Sequence, residues 1–316
     1  MNEFPLVSII IPTFNRKKLV NRAVESVLSQ TYPYFELIII DDGSTDNTDI
    51  SLQTNLPIWK NQLENFGNFQ KTIQFHQTEH RGVSAARNFG VSLSTGEWIC
   101  FLDSDDIWDP IKLTEQIKYH NLHKNIKCSQ TNEIWNKKGN ILEPKGKFSK
   151  LDGMYLEEAL ESCLVTCSSV MIHRTLWNRL GGFRGELLVC EDYDLWIRIF
   201  LLGEPISLIS SFLLTRFGGH HDQLSKKYQA IERFRLYSLL SIHEEGTKNK
   251  TDGFQIRNVD LQLLRKAIQL RFETVKNGRE KRGKDTAFLD QLSKTFAENS
   301  PILPKDLLIL LDDSLF

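Results

Sequence analysis

Trp98-Ile99-Cys100-Phe101-Leu102-Asp103-Ser104-Asp105-Asp106 is the stretch that decides how this chain is read. Five apolar residues suit a strand buried on both faces, and the acidic run follows where that strand leaves its sheet. Three carboxylates in four positions repel one another unless a cation or strong donors compensate them. Oxygen-only ligands suit a hard divalent metal, which is commonly held by one or two carboxylates together with substrate phosphates. A solvated turn accounts for the same residues, because Asp and Ser favour turns. The surrounding sequence has to choose.

Upstream, Leu6-Val7-Ser8-Ile9-Ile10-Ile11 predicts another buried strand, ended by Pro12-Thr13. Leu19, Val20, Ala23, Val24, Val27 and Leu28 then recur at helical spacing, and Phe35 to Ile40 predicts a second strand ending at Asp41-Asp42-Gly43-Ser44. Strand, helix and strand in that order make a βαβ unit with a parallel pair. Ile73 to His76 predicts a third strand, and Val83 to Leu93 a helix between Gly82 and Gly96. Both acidic turns therefore sit at carboxyl ends of parallel strands, where open α/β sheets bind their ligands.

Downstream, a helix is expected from Pro110 to about Leu122, then a less regular segment to about Gly153. Cys167 to Ile172 reads as a strand, Gly181-Gly182-Phe183 as a turn, and Glu191-Asp192 as the opening of an apolar helix to about Leu202. Helical patterns at 231–242, 259–275 and 288–296 follow a change in composition. The expected fold class is α/β, a mixed and mostly parallel sheet flanked by helices. Residues 1–225 would form the main domain and 226–316 a helical C-terminal extension.

Composition narrows the function classes. Of 316 residues, 25% are charged and 41% hydrophobic, as in an ordinary globular protein. A net charge of -1 argues against nucleic acid as a partner. The five cysteines form no zinc-like pair of pairs, so reduced and mostly buried thiols are expected. Met1 to Pro5 carries no basic leader or signal-type apolar run, and Ile206 to Leu214 is too short to span a bilayer. A cytoplasmic protein is expected, with peripheral contact at the inner face of a membrane and homo-oligomerisation left open.

Several polar positions are candidates beside the acidic run. Thr13, Asn15 and Arg16 follow the first strand and suit a base or phosphate, with Arg matched to anions; a plain strand-to-helix turn with Asn15 near the cap suits them equally. The loop lacks the glycine-rich cradle of P-loop and Rossmann proteins. Asp42 can accept bonds from a nucleoside or merely shape an Asp-Gly turn. Arg87, on a helix, can neutralise the acidic run or touch phosphate, or form a surface ion pair. Asp192 opens a helix either as a first-turn acid favoured by the macrodipole or as a general base. His220 and His221, in a glycine-bearing loop, can complete a carboxylate metal site or bind diphosphate, or add only polarity.

Taken in order, five motifs resemble the family 2 glycosyltransferases. They are Ser8-Ile9-Ile10-Ile11-Pro12-Thr13-Phe14-Asn15-Arg16, Ile39-Ile40-Asp41-Asp42-Gly43-Ser44-Thr45-Asp46, Ala86-Arg87-Asn88-Phe89-Gly90, Phe101-Leu102-Asp103-Ser104-Asp105-Asp106 and Glu191-Asp192-Tyr193-Asp194-Leu195-Trp196. Each is weak alone, and five in order over about the first 225 residues are strong. The resemblance implies a GT-A fold, a nucleotide-diphosphate-sugar donor, most readily a UDP-sugar, and inversion at the anomeric carbon. It places Pro12, Thr13, Arg16 and Asp42 at the nucleoside, with Asn15, Arg87 and Ser104 beside the donor. Asp103 approaches the ribose or diphosphate. Asp105 becomes the main ligand of Mn²⁺ or Mg²⁺, with Asp106 adjacent, and Asp192 the catalytic base. His220 matches a histidine before a Gln-Leu-Ser ending, with His221 an alternative to it. The glutamine-arginine-tryptophan motif of processive synthases is absent, so a non-processive transferase acting on a saccharide or lipid-linked saccharide is implied, in polysaccharide, glycolipid or other glycoconjugate synthesis.

Two rival functions remain. A sugar-nucleotide-forming nucleotidyltransferase would also be α/β with metal-binding carboxylates, but generally carries a glycine-rich loop where this chain has Pro12-Thr13-Phe14-Asn15. A non-catalytic sugar-nucleotide binder would not need Asp192.

Overall fold

A computed structural model describes residues 4–64, 70–218, 228, 230–248, 256–312 and 314. Its strands are β1 (Val7–Thr13), β2 (Phe35–Asp41), β3 (Lys71–Gln77), β4 (Trp98–Phe101), β5 (Ile107–Trp108), β6 (Cys128–Lys137), β7 (Asn140–Leu142), β8 (Met171–His173) and β9 (Ser207–Gly218). Among the described residues they form one nine-stranded sheet in the order β3-β2-β1-β4-β8-β6-β9-β5, with β7 paired to β6. The helices are α1 (Val20–Leu28), α2 (Thr48–Glu64), α3 (Val83–Ser92), α4 (Lys112–Leu122), α5 (Leu156–Glu161), α6 (Arg174–Leu180), α7 (Glu191–Leu201), α8 (Glu232–Lys248), α9 (Asn258–Glu280), α10 (Ala287–Ala297) and α11 (Pro304–Leu308).

Packing divides the chain into two compact units. The first comprises Met1–Met154, Leu164–Leu188 and Glu204–Gly219; the second comprises Tyr155–Cys163, Val189–Gly203 and His220–Phe316. In the first, β3, β2, β1 and β4 are parallel neighbours, and every residue of β1 and β2 is buried. Burial on both faces explains the apolar runs Ile9 to Ile11 and Leu37 to Ile40, and the two polar residues that precede them are paired, Ser8 Oγ donating to Glu36 Oε1 at 2.7 Å. Helices α1 and α3 cross between these strands. Gly90 on α3 lets the helix sit against β1, because a Cβ there would collide with Ile10 Cγ2. Beyond β4 the sheet turns antiparallel, through the β4–β8 and β8–β6 pairs.

Two expectations change here. The segment read as irregular contains the ten-residue β6. Its Gln130, Thr131 and Glu133 are buried, so no apolar alternation marks the strand. Partners satisfy two of them: Gln130 Nε2 donates to the Leu151 carbonyl at 2.9 Å and Glu133 pairs with Lys150, while the Thr131 hydroxyl has no hydrogen-bond partner among the described residues. The strand expected over Cys167–Ile172 is a 3-10 turn, Cys167–Ser169, followed by the short β8. Ser169 N–H and hydroxyl both turn back to the Thr166 carbonyl, and the Ser168 hydroxyl donates to the distant Asp106.

The second unit is helical. Tyr193 Oη on α7 donates to the Leu160 carbonyl at the end of α5, and Arg271 on α9 donates to the same carbonyl at 2.9 Å. Asp194 is fully buried, gripped by Arg198 Nε at 2.7 Å and by the Ser238 hydroxyl at 3.0 Å. Burial of a carboxylate is tolerated when such partners are present.

Candidate active site

Thr13 on β1 pairs with Asp41 on β2, and Ile10 with Phe101 on β4, so the loops after these strands open at one end of the sheet. Pro12 and Thr13 close β1. The Thr13 hydroxyl is buried and has no hydrogen-bond partner among the described residues, leaving a polar atom at the strand end for a ligand to satisfy.

The next loops are laced together. Asn15 takes a left-handed φ of 53°, which an asparagine tolerates. Its backbone N–H donates to Ser44 Oγ at 2.8 Å, and its Oδ1 accepts from Thr45 N–H at 2.8 Å. Arg16 N–H reaches Thr48 Oγ1 at 3.0 Å and Lys17 N–H reaches Asp46. Asp41 is buried; burial pushes its carboxyl up, while donation from Ser44 draws it back.

Asp42 accepts from Arg81 N–H at 2.8 Å, Gly82 N–H at 2.9 Å and His80 Nδ1 at 2.8 Å. It thus fixes the loop before α3. The His80 ring stacks on Phe14 with centroids 4.0 Å apart. Gly82, at φ 92°, takes a conformation that suits glycine.

The acidic turn is held from two sides. Arg87 on α3 is buried and donates from Nη2 to Asp103 Oδ1 at 2.7 Å, with its guanidinium 5.2 Å from the Phe183 ring centroid. The Ser168 hydroxyl accepts from Asp103 N–H at 3.1 Å and donates to Asp106 Oδ2 at 2.7 Å. Ser104 is buried, whereas Asp103 and Asp105 are partly exposed. Asp106 is 4% exposed, and its other oxygen accepts from Phe217 N–H. Burial first, then Asp105 and Asp103, push the Asp106 carboxyl well up; Arg216 and Ser168 oppose that. Both Asp106 oxygens thus serve protein donors, the Ser168 hydroxyl and the Phe217 N–H.

Arg216 in turn donates to Glu133 Oε1 at 3.2 Å, and Lys150 Nζ lies 3.0 Å from Glu133 Oε2. Burial raises the Glu133 carboxyl, but Lys150 and Arg216 outweigh it and hold the group down at about 2. Sequence reading missed Ser168 and Glu133. The signal was a pair of serines inside an otherwise apolar run, and a lone acid in a polar one.

Asp192 lies in the second unit, in the first turn of α7, after Cys190 at φ 63°. It is partly exposed, and the Cys163 thiol lies 3.5 Å from its Oδ2. The first unit thus gathers Pro12, Thr13, Asn15, Arg16, Asp42, Arg87, Asp103, Ser104, Asp105 and Asp106, and Asp192 belongs to the other. His220 and His221 lie outside the described residues. Among the described residues no three His, Cys, Asp or Glu side chains gather as a ready metal cage, and no helix is long and apolar enough to cross a membrane. The partly exposed Asp105 still offers oxygen donors that suit a hard cation completing its shell from phosphate and water.

A sequence profile described as Glycosyl transferase family 2 matches residues 8–176. The Escherichia coli UDP-Glc:alpha-D-GlcNAc-diphosphoundecaprenol beta-1,3-glucosyltransferase WfgD is 32% identical over 231 residues, covering 72% of this chain and 83% of that protein. An uncharacterized glycosyltransferase of Rickettsia felis is 35% identical over 195 residues, covering 61% of this chain; the match spans only 30% of that longer protein. Among solved structures, S. aureus TarS 1-349 in complex with UDP-GlcNAc superposes with a TM-score of 0.63 at 20% identity, covering 85% of this chain and 72% of that one. At that identity the likeness is one of fold.

Proposed function

Because the chain belongs to glycosyl transferase family 2 and has the GT-A fold, we propose that it transfers a sugar from a nucleoside-diphosphate sugar to an acceptor hydroxyl. The donor is a UDP-sugar and the acceptor a saccharide carried on a lipid diphosphate, the classes that the name of WfgD carries. The transfer inverts the anomeric carbon, is metal-dependent and contributes to polysaccharide or glycoconjugate synthesis. Residues 1–225 carry this chemistry, and 226–316 extend it. What carries the reading is the laced end of the sheet, where the unpartnered Thr13 hydroxyl closes β1, Asp42 follows the adjoining β2, and Asp103, paired to Arg87 of α3, follows the adjoining β4.

In this reading Pro12, Thr13, Asn15, Arg16 and Asp42 shape the nucleoside pocket. The lacing of Asn15 to Ser44 and Thr45 fixes that pocket before the donor arrives, which lowers the ordering cost of binding. Arg87 orients Asp103 toward the ribose or diphosphate, and Ser104 completes the turn. Asp105, with His220 as a second donor from the sequence, would hold Mn²⁺ or Mg²⁺; when bound, such an ion neutralises charge building on the diphosphate leaving group. Asp106 keeps the turn in shape from below. Asp192 takes the proton from the acceptor hydroxyl as its oxygen attacks the anomeric carbon, and the nucleoside diphosphate leaves from the opposite face.

The test is a thermal-shift screen of UDP-, GDP-, dTDP- and CDP-sugars with Mn²⁺ and with EDTA, followed by an assay for nucleoside diphosphate release. A ligand that binds only the folded state raises its melting temperature with occupancy. A shift with one nucleotide class that EDTA abolishes is expected. No shift from any donor, in protein shown to be folded, would overturn the reading, and pyrophosphate release would replace it with nucleotidyl transfer.

A further inference from the structure

The β6–β7 hairpin carries chemistry for which the proposed reaction has no use. Lys138 and Gly139 form its two-residue turn with φ values of 54° and 90°, the pair of positive angles that matches hairpin twist. Gly139 N–H is anchored on Asn136 Oδ1 at 2.9 Å. Among the described residues, β7 pairs within the sheet with β6 alone. Register sets Trp135 opposite Leu142 and Asn136 opposite Ile141. Phe148 meets the Trp135 ring edge-on at 5.4 Å, and Lys137 Nζ stands 4.7 Å over that ring.

The outcome is an unusual surface. Ile141, Leu142 and Phe148 are 69%, 47% and 52% exposed, within eight positions of one another. Lys137, Lys138 and Lys145 are exposed in the same stretch of sequence, against one exposed acid among its described residues, Glu143. Single exposed apolar residues are ordinary, but three on one short hairpin and its flank, Ile141 on one face and Leu142 on the other, beside like charges mark an interaction surface.

We propose that this hairpin docks the protein on an anionic lipid bilayer. Ile141, Leu142 and Phe148 enter the boundary between headgroups and acyl chains, and the three lysines meet the headgroup phosphates. The pattern of a cationic turn, an apolar strand beside it and an aromatic base is that of an interfacial anchor, in which lysine stems lie along apolar surface while their ammonium groups stay in water. The charge has the sign that anionic lipid attracts. A protein partner fits less well, since a stable protein interface buries about 800 Å² on each side and this projection is one short hairpin. The inference agrees with a lipid-linked acceptor without resting on one.

The whole chain is sedimented with vesicles of phosphatidylcholine alone and with vesicles containing about one-third phosphatidylglycerol, at low and raised salt. Each lysine near an anionic surface contributes about fivefold in partition, so Lys138→Gln with Lys145→Gln is expected to weaken binding about 25-fold. Ile141→Ser with Leu142→Ser is expected to weaken it at least about tenfold, even if those side chains enter only partly. All four side chains are exposed, so melting temperatures and donor thermal shifts should match the native protein. No partition of the native chain onto anionic vesicles would overturn the proposal, as would equal binding to both vesicle types. Variants that partition like the native chain would also overturn it, by moving the membrane contact elsewhere. The readout is partition alone, so its failure is separate from any failure of sugar transfer.

Discussion

Ser168→Ala tests how the acidic turn is held. The hydroxyl is fully buried and makes two contacts, a 2.7 Å donation to the Asp106 carboxylate and a 3.1 Å bond accepted from Asp103 N–H. Alanine removes both while leaving a buried carboxylate oxygen and a backbone N–H short of a partner. A hydrogen bond to a charged group contributes about 1.5–3 kcal/mol and a neutral one about 0.5–1.5, so a loss of about 2–4 kcal/mol is expected. Asp106 keeps its bond from Phe217 N–H, which places the effect toward the lower end. With a urea m-value of about 2 kcal/mol/M, the midpoint should fall by about 1–2 M. Tryptophan fluorescence suits the measurement, because Trp59, Trp98, Trp108, Trp135 and Trp177 belong to the first unit and only Trp196 to the second. Calorimetry should also show Mn²⁺ binding with donor weakened by about 10–100-fold, the usual cost of losing a group that orients a ligand. A midpoint within about 0.3 M of native and unchanged Mn²⁺ affinity would refute the reasoning.

Three further outcomes are expected. Asp192→Asn should lower turnover by at least about 10²-fold while the donor-induced thermal shift persists, and normal turnover would remove Asp192 as the base. Gly90→Val drives a branched side chain into Ile10 on β1, where even a Cβ collides, so a loss of about 1–3 kcal/mol or more is expected in the same urea titration; a neutral result would mean α3 can move off the sheet. His120 is 3% exposed, and burial lowers its imidazole to about 3, so the folded chain keeps neutral a ring that the unfolded chain protonates near 6.5. Its contribution is intact above 6.5 and is lost as pH falls from there toward 3, at up to about 1.4 kcal/mol per pH unit. His120→Gln should flatten that part of the stability profile relative to native, and parallel profiles would argue against a neutral buried ring.

The parallel half of the sheet was legible because burial on both faces leaves a simple trace. Val7 to Thr13 and Phe35 to Asp41 have no solvent-facing positions to interrupt their apolar runs. β6 was illegible for the opposite reason. Its Glu133 and Gln130 are buried polar residues whose partners, Lys150, Arg216 and Leu151, lie far off in sequence, and a local pattern cannot announce a distant partner. The acidic turn was half legible. Asp103, Asp105 and Asp106 look alike as letters, yet two are partly exposed, one of these paired to Arg87, and the third is buried on Ser168. Only the tertiary contacts of α3 and of the 3-10 turn separate them.

The way the two units share the chain also governs the order in which they can be completed during synthesis. The β6–β9 pairs join residues as far apart as Lys137 and Gly218, and between those strands the chain contributes α5 and α7 to the other unit. The parallel strands β1 to β4 are all available once residue 101 has been made, whereas the edge of β6 stays open until β9 emerges. An open strand edge is a template for pairing with another chain. Slow, long-range closure therefore concentrates the risk of aggregation in the interval between residues 137 and 207, and neither unit can be cut free by a single truncation.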